Sequence, residues 1–397
     1  MRNRKANMDI AKIQEYLVEH KLDGWLMADF HARNNVAVEM LKLSGMITRR
    51  SFYFIPAMGE PTGLVNALEK SKFEGLPGKI IPCLGYRKLE QELESLLEGY
   101  SRIAMEYSSK GRLPYIGLVD YGTIELVKDC EVEIVSSADL VANFLARLTP
   151  EQMATHRIAA NNVLEIKDNA FKFIEEKLQG KKKVTEYEVA QFILGQFEEY
   201  DMDTIETPIV GINGHAGDPH YEPAEGKSAT IKKGDLILID LWGKLKHPDG
   251  VYADITWVAY AGSADEIPVQ YRSLFSIVIE ARDTAVAYLR EHIDNRPVYG
   301  AEVDDACRKV IVDAGYGENF LSRTGHSIGS DIHGSGPNID NLETEDTRRL
   351  QKGHLFSIEP GIYMDEVGFR SEINVLIGHD GVEVTTVPMQ TEIIALL

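Results

Sequence analysis

The sequence is poor in cysteine, and its three cysteines, Cys83, Cys130 and Cys307, are far apart and form no CxxC pair. This spacing excludes a disulfide framework and a cysteine-ligated zinc site, and it is typical of a reducing compartment. No apolar run reaches the roughly 18 residues that a membrane span needs. The segment after the basic residues 1–7 is amphipathic rather than continuously apolar, so we expect no secretory signal and a cytoplasmic location.

Basic residues are also scarce relative to acidic ones. Lys and Arg number 42 and Asp and Glu number 62, which gives a formal net charge of −20. Proteins that bind the nucleic-acid backbone need a basic face, and so do proteins that dock on anionic membranes. The charge balance therefore predicts neither nucleic acid nor a membrane as a partner.

The first part of the chain alternates strand-like and helix-like segments. Ile10, Ile13 and Leu17 have helical spacing and predict a helix over 8–22. Further strands are predicted at 24–29, 51–56, 63–68, 102–108 and 131–137, and a further helix at 115–129. This alternation over about 140 residues is typical of an α/β domain.

A helix start signal marks a domain boundary after this region. Thr149 has the pattern of an N-cap, with Pro150 at the first helical position and Gln152 three residues after the cap. A long helix is predicted from there to about residue 179, and Thr185 with Glu188 repeats the capping spacing. We therefore predict an N-terminal domain over 1–148 and a second domain over 149–397.

Four acidic residues of the second domain occupy apolar, strand-like segments. Asp240 lies in GDLILIDLWG, Asp254 in VYADITWVAY, Glu359 in HLFSIEPGIY and Glu372 in FRSEINVLI, the last placed inside a fourth strand. One such acid usually faces solvent or pairs with a base, but burying an unpaired carboxylate costs several kcal/mol. Arg370 is the clearest base nearby, so we interpret the four acids as ligands of divalent cations.

Histidines in glycine-rich segments strengthen this interpretation. TGHSIGSDIHG places His326 and His333 seven residues apart, where the glycines favour a strand or loop over a helix. GHAGDPHYEP carries His215 and His220 in a loop after a predicted strand. Oxygen ligands with one imidazole suit Mn²⁺, Co²⁺, Zn²⁺ or Fe²⁺. Two such ions would share bridging carboxylates and a bridging water. The ions would lower the pKa of this water towards neutrality, and the resulting hydroxide would be the nucleophile.

The order of these motifs resembles the pita-bread metallopeptidases, the group of methionine aminopeptidase, aminopeptidase P, prolidase and creatinase. The resemblance covers about residues 150–397. It implies an α/β (α+β) protein, with a curved antiparallel sheet covered by helices in the C-terminal domain. The N-terminal region resembles the creatinase-type α/β domain in length, position and pattern only.

The resemblance also implies a role for each motif residue. Two divalent ions, with Mn²⁺ favoured, would be held by five ligands: Asp240, Asp254, His326, Glu359 and Glu372. Asp254 and Glu372 would bridge the ions, and Glu359 would also handle the proton of the bridging water.

Five other residues would act on the substrate or on the ligands. His333 would contact the substrate or stabilise the tetrahedral intermediate, and His220 would assist the substrate carbonyl. Arg370 would bind a ligand or a substrate carboxylate, Thr256 would orient a bridging ligand, and Tyr221 joins this group as the neighbour of His220. His215 has no assigned role.

Within this resemblance, the separate N-terminal domain points away from methionine aminopeptidase, and the retention of all five ligand residues points away from creatinase. The proline-specific members of the group remain. The predicted activity is hydrolysis of the bond preceding proline in dipeptides, as in prolidase, or in longer peptides, as in aminopeptidase P, by a homodimer. Two alternatives stay open: cleavage of a small non-peptide C–N or C–S bond, and a non-catalytic binding module.

Three positions depart from the family pattern. The stretch 244–250 lengthens the turn between Asp240 and Asp254, Trp257 replaces a common Arg after ADIT, and Ser322 stands where a His often precedes TGH. The longer turn and Trp257 are predicted to alter the substrate pocket.

Overall fold

A computed structural model describes residues 8–397, and the basic segment 1–7 lies outside the described residues. The chain divides into two compact units between Leu145 and Ala146, three residues before the boundary drawn from the sequence. Among the described residues, none of the helices is long and apolar enough to cross a membrane.

The first unit is a six-stranded mixed sheet with helices between its strands. Its strands are β1 (Gly24–Asp29), β2 (Ser51–Pro56), β3 (Thr62–Asn66), β4 (Lys79–Cys83), β5 (Arg102–Met105) and β6 (Glu133–Ser136). Its helices are α1 (Ile10–Glu19), α2 (Asn35–Met40), α3 (Tyr86–Leu97), α4 (Tyr121–Lys128) and α5 (Ala138–Phe144). The strand order is β4-β3-β2-β1-β5-β6, with β2 antiparallel to both of its neighbours and the other pairs parallel.

The helix predicted over 115–129 is shorter than expected. A 3-10 helix over Pro114–Ile116 precedes it, and α4 begins only at Tyr121. The amides of Leu118 and Val119 donate to the carbonyl of Glu106, so this stretch is bonded to the end of β5 rather than to a helix. Asp120 then caps α4 by accepting from the Thr123 amide.

Two long helices open the second unit at the predicted start signals. Helix α6 (Pro150–Gln179) begins with a capping box between Thr149 and Gln152, and α7 (Glu186–Glu199) with one between Thr185 and Glu188. Two further helices, α8 (Val269–His292) and α9 (Gly300–Asp313), follow later in the chain.

The strands of the second unit form three groups. Their bounds are β7 (Met202–Asp203), β8 (Ile209–Ile212), β9 (Leu236–Leu245), β10 (Ala253–Tyr260), β11 (Leu355–Ile358), β12 (Gly361–Met364), β13 (Val367–Arg370), β14 (Ile373–Gly378), β15 (Gly381–Val384) and β16 (Ile394–Ala395). Strands β9 and β10 form a long antiparallel pair, flanked by β7, β8 and β16. Strands β11, β14 and β15 form a second sheet, and β12 and β13 a hairpin.

The two faces of the β9–β10 pair are packed differently. Ile239 and Ile255 point into a core shared with α6 and α7, whereas Leu236 and Val258 join a core formed with α8, α9 and the later strands. Because side chains alternate between the faces of a strand, Asp240 and Asp254 lie on the second face. Helices therefore cover both faces of this pair, and the buried acids are enclosed between the sheet and the later strands.

One buried histidine ties α6 to the strand that carries Asp254. His156 is fully buried, its Nδ1 lies 2.8 Å from the Tyr252 carbonyl and its Nε2 lies 2.7 Å from the Thr385 hydroxyl. A carbonyl only accepts, so Nδ1 carries the proton and Nε2 accepts from Thr385. Burial lowers the pKa of His156 to about 4, because a charged imidazolium would be cut off from water here and the bond to the Tyr252 carbonyl offsets this only in part.

This histidine gives the stability of the protein a predictable pH dependence. The unfolded chain takes up the proton near its ordinary pKa of 6.5, so the His156 contribution is complete above pH 6.5 and is lost as pH falls towards 4. We expect wild type to lose about 3 kcal/mol relative to His156→Asn over that interval in urea unfolding. The exposed His379→Asn variant is the control and should track wild type; a difference that does not vary with pH would contradict the assignment.

Candidate metal centre

Two of the four acids come together through the register of β9 and β10. Asp240 pairs with Thr256, and Asp254 pairs with Trp242. Alternation places these four side chains on one face of the sheet. Asp240 and Asp254 are both buried, at 8% and 4% exposure, so neither is a solvent-facing strand residue.

His326 and Glu372 reach the same place from distant parts of the chain. Ligand atoms of Asp254, His326 and Glu372 all lie within 4.8 Å of one another, and His326 Nε2 is 3.5 Å from Asp254 Oδ2. Glu372 does not lie inside a strand, as the sequence suggested, but in the two-residue junction between β13 and β14. Its amide donates to the Thr256 carbonyl of β10, because the chain crosses here from the hairpin to the second sheet.

Glu359 completes the group directly after β11. Its Oε1 lies 3.5 Å from His326 Nε2 and accepts from the Ser357 hydroxyl at 3.0 Å. The segment before His326 runs beside this strand end, since the Glu359 amide donates to the Thr324 carbonyl. A side chain at Gly325 would clash, because its Cβ would lie 1.9 Å from the Ser357 carbonyl oxygen. Gly325 thus serves a close backbone approach, as predicted, whereas a Cβ at Gly329 would have open space; the segment forms no helix.

The acids outnumber the cations that face them. Arg370, itself buried, donates to Asp240, to the Thr256 hydroxyl at 3.0 Å and to the Tyr363 hydroxyl at 3.1 Å. Thr256 in turn donates to Glu372 at 2.8 Å. Three buried carboxylate oxygens accept no hydrogen bond from any described residue: Asp240 Oδ1, Asp254 Oδ1 and Glu372 Oε1.

The electrostatics reflect this crowding. Burial raises the pKa of Asp240 to about 7, with Asp254 and Glu359 adding to the effect and Arg370 opposing it. Burial and the neighbouring acids raise the pKa of Glu372 well above its ordinary value. Burial opposes protonation of His326, but Asp254 and Glu359 outweigh it and raise the pKa of that residue. Several converging carboxylates with unpaired buried oxygens are a donor set that fits divalent cations. Bound cations would offset the free-energy cost of burying these negative charges together.

His333 lies beside the group as a neutral imidazole. Its ring centroid is 4.5 Å from that of His326, at an interplanar angle of 74°. Burial lowers the pKa of His333 to about 3, and the positive charges of His326, Arg323 and His220 act in the same direction. His220 is therefore close enough to influence His333, although its own side chain is exposed. A neutral imidazole can donate one hydrogen bond to a substrate oxygen.

Sequence reasoning missed one residue that holds the centre together. Asn374 in β14 accepts from the Asp254 amide at 2.9 Å and donates to the Asp254 carbonyl at 2.8 Å. It fixes the backbone of β10 at Asp254. The signal was present, since Asn374 is a polar residue in the apolar run INVLI, the same anomaly that identified the acids.

The structure changes one further expectation and adds a contact for another residue. Trp257 does not face the centre: it packs on the opposite face of β10, where the Lys167 ammonium lies 3.7 Å from its ring centroid. The period of two along a strand explains this, because Trp257 follows the inward-facing Thr256. Tyr221 donates its hydroxyl to the buried Glu186, and its ring stacks on His215; its role beside the substrate stays a prediction.

Comparisons with known proteins agree with this geometry. The model of metallopeptidase family M24 matches residues 156–379, which is more than half of the chain. The Xaa-Pro dipeptidase of Pyrococcus horikoshii is 29% identical over 309 residues, 76% of this chain and 77% of that protein. An uncharacterized peptidase of Schizosaccharomyces pombe is 34% identical over 194 residues, 49% of this chain, and the match spans only 40% of that protein's length.

The fold also matches a solved structure over both units. The dipeptidase PepE of Mycobacterium ulcerans superposes with a TM-score of 0.75 at 22% identity, covering 98% of this chain and 96% of that one. The likeness confirms the pita-bread fold with a preceding α/β unit that the sequence predicted. The family model matches the segments that contain all four acids, and the chain belongs to metallopeptidase family M24.

Proposed function

We propose that this chain is a metal-dependent peptidase that hydrolyses the bond preceding proline in dipeptides or short peptides. The observation that carries the proposal is the buried group of Asp254, His326 and Glu372, with carboxylate oxygens that no described residue satisfies. Proline specificity is supported by the Xaa-Pro dipeptidase of Pyrococcus horikoshii, to which the chain is similar over three quarters of its length.

Five residues would hold two divalent ions: Asp240, Asp254, His326, Glu359 and Glu372. When bound, such ions supply Lewis acidity and lower the pKa of water towards neutrality. Mn²⁺ is our first choice, with Co²⁺, Zn²⁺ and Fe²⁺ as alternatives, because oxygen ligands with one imidazole suit all four.

The protein's own side chains transfer the proton and stabilise the negative charge that develops on the substrate. Glu359, at 18% side-chain exposure the most accessible carboxylate of the group, accepts the proton of the attacking water and passes it to the leaving nitrogen. His333, neutral at working pH, donates a hydrogen bond to the oxygen that becomes negative in the tetrahedral intermediate. His220 assists at the same carbonyl from its exposed loop.

Two residues act by holding ligands in place. Arg370 keeps Asp240 in one orientation and occupies one of its oxygens, which leaves the other oxygen free for a cation. Thr256 does the same for Glu372. The first unit completes the proposed architecture as a creatinase-type domain, and we propose a homodimer as the working form.

A small substrate panel tests the proposal. The protein would be loaded with Mn²⁺ or Co²⁺ and incubated with Ala-Pro, Gly-Pro and Ala-Pro-Ala, and release of the N-terminal residue would be measured by chromatography. Ala-Ala and Ala-Ala-Ala are matched controls that lack proline. We expect cleavage of at least one proline peptide and at least about tenfold slower cleavage of its control. Cleavage of none of the proline peptides would overturn the proposal.

A further inference from the structure

The loop that carries His220 is held at both of its ends by one buried carboxylate. Glu186, the first residue of α7, has no solvent exposure and accepts four hydrogen bonds. Its Oε1 accepts from the Ile212 amide at 2.9 Å and from His215 Nδ1 at 2.8 Å. Its Oε2 accepts from the Tyr221 hydroxyl and the Ala229 amide, both at 2.7 Å. Ile212 precedes the loop and Ala229 ends it, so the Glu186 side chain holds the two ends of the loop together.

The backbone repeats this closure at the far end of the loop. The Glu186 amide donates to the Ala229 carbonyl, and the Ile231 amide donates to the Val184 carbonyl. Residues 229–231 therefore run along the start of α7. These backbone bonds connect residues 229–231 to the start of α7 only. The Glu186 side chain also connects the start of α7 to Ile212 at the end of β8.

Two aromatic side chains carry the restraint from Glu186 to the middle of the loop. The rings of His215 and Tyr221 stack at 4.3 Å with an interplanar angle of 20°, and each donates to a different oxygen of Glu186. A carboxylate only accepts, so His215 carries its proton on Nδ1. His220 lies between these two residues in the chain, directly before Tyr221.

The first half of the loop has a second, independent anchor. The 3-10 helix Asn213–Gly217 lies against the β12–β13 hairpin so closely that a Cβ at Gly217 would be 2.1 Å from the Met364 carbonyl oxygen. Strand β13 ends in Arg370, which binds Asp240. The turn directly after the 3-10 helix is tight, since the Asp218 carboxylate accepts from the amide of His220. The segment 218–220 is thus a short bridge between two fixed points.

We propose that Glu186 is a positioning residue: through the His215–Tyr221 stack it fixes the loop that presents His220 to the substrate carbonyl. The inference rests on the proposed function, because the reaction in which His220 acts is part of it. Misplacing an assisting group by about 1 Å costs up to roughly a hundredfold in rate, so a buried clamp on the loop that carries the exposed His220 has a kinetic consequence.

Glu186→Gln tests this with little change of shape. Either orientation of the amide sets its NH₂ group against a backbone amide, that of Ile212 or that of Ala229, which can only donate, so at least one of the four hydrogen bonds is lost and a buried donor is left opposite another donor. Glu188→Gln is the matched control: Glu188 lies two residues away in the same helix, is bonded to Thr185 and does not touch the loop. The control should retain wild-type kcat and KM.

The kinetic arm separates positioning from a general structural role. In the metal-loaded enzyme we expect Glu186→Gln to lower kcat about ten- to a hundredfold at wild-type metal content. In a His220→Ala background the same substitution should lower kcat less than about twofold, because the group it positions is gone. If Glu186→Gln lowered kcat by the same factor with and without His220, the inference would be overturned. A wild-type kcat in Glu186→Gln would overturn it as well.

A second arm needs no activity. Amide hydrogen exchange of residues 212–221 should be at least about tenfold faster in Glu186→Gln than in wild type or Glu188→Gln, with no change in the β9–β10 pair. Unchanged exchange would also overturn the inference. If Glu186→Gln does not fold, Tyr221→Phe removes one of the four bonds and should give a three- to tenfold loss of kcat that vanishes in the His220→Ala background. An inactive wild-type enzyme would instead overturn the proposed function, and the exchange arm would still report on the clamp.

Discussion

Replacing Asp254 by alanine is expected to remove both metal ions and to lower kcat by at least about a thousandfold. Asp254 belongs to the group with His326 and Glu372, one of its oxygens accepts no hydrogen bond, and Asn374 fixes its backbone on both sides. Its loss takes away the carboxylate that would bridge the ions, so no other ligand can compensate. Metal stoichiometry by elemental analysis and kcat on the best proline peptide are the measurements.

The stability of the same variant gives an independent check. Added Mn²⁺ should raise the melting temperature of wild type and leave that of Asp254→Ala unchanged, because a ligand stabilises only the protein that binds it. Without metal, the variant should melt no lower than wild type, since one of several mutually repelling carboxylates is gone. Asp380→Ala, in the exposed turn after β14, is the control. Wild-type metal content in Asp254→Ala would refute the ligand assignment.

Replacing His333 by alanine should produce the second large effect, a loss of kcat of about a hundred- to a thousandfold. In the proposed mechanism the neutral imidazole beside His326 stabilises the developing oxyanion, and His333 is not part of the group of Asp254, His326 and Glu372. Metal content should therefore stay at the wild-type value, and KM should change by less than about fivefold. Steady-state kinetics and metal analysis on one preparation measure both quantities.

Two comparisons make the His333 result specific. His379→Ala, an exposed histidine of the turn before β15, should have wild-type kinetics. A loss of metal from His333→Ala would reassign this residue to the ligands, and an unchanged kcat would refute any role at the transition state. The contrast with Asp254→Ala, which should lose metal and activity together, distinguishes binding from catalysis.

Much of the centre could be predicted because its acidic residues stand in apolar segments of the sequence that are expected to be buried. Asp240 and Asp254 interrupt apolar strands, and the structure places both on the buried face of β9 and β10. The starts of α6 and α7 could also be predicted, since the capping boxes at Thr149 and Thr185 are local hydrogen-bond patterns that need no distant partner.

The errors arose where distant contacts override local pattern. The stretch before α4 reads as helix, but its amides bond to Glu106 at the end of another strand. Glu372 reads as part of one strand, but the chain leaves the hairpin at Arg370 and enters a different sheet at Ile373. Trp257 seemed to border the substrate, yet its register turns it to the opposite face.

The sequence by itself determined the residue types of the centre, their order and the starts of α6 and α7, because these depend on residue chemistry and on neighbours a few positions away. Only the tertiary structure decided which atoms meet. Asp254 and Glu372 are more than a hundred residues apart, and their proximity depends on strand register and on the crossing between two sheets. The same holds for Glu186, whose sequence context shows only a helix start. Its four hydrogen bonds exist because the loop from β8 folds back onto α7, and no local pattern records that contact.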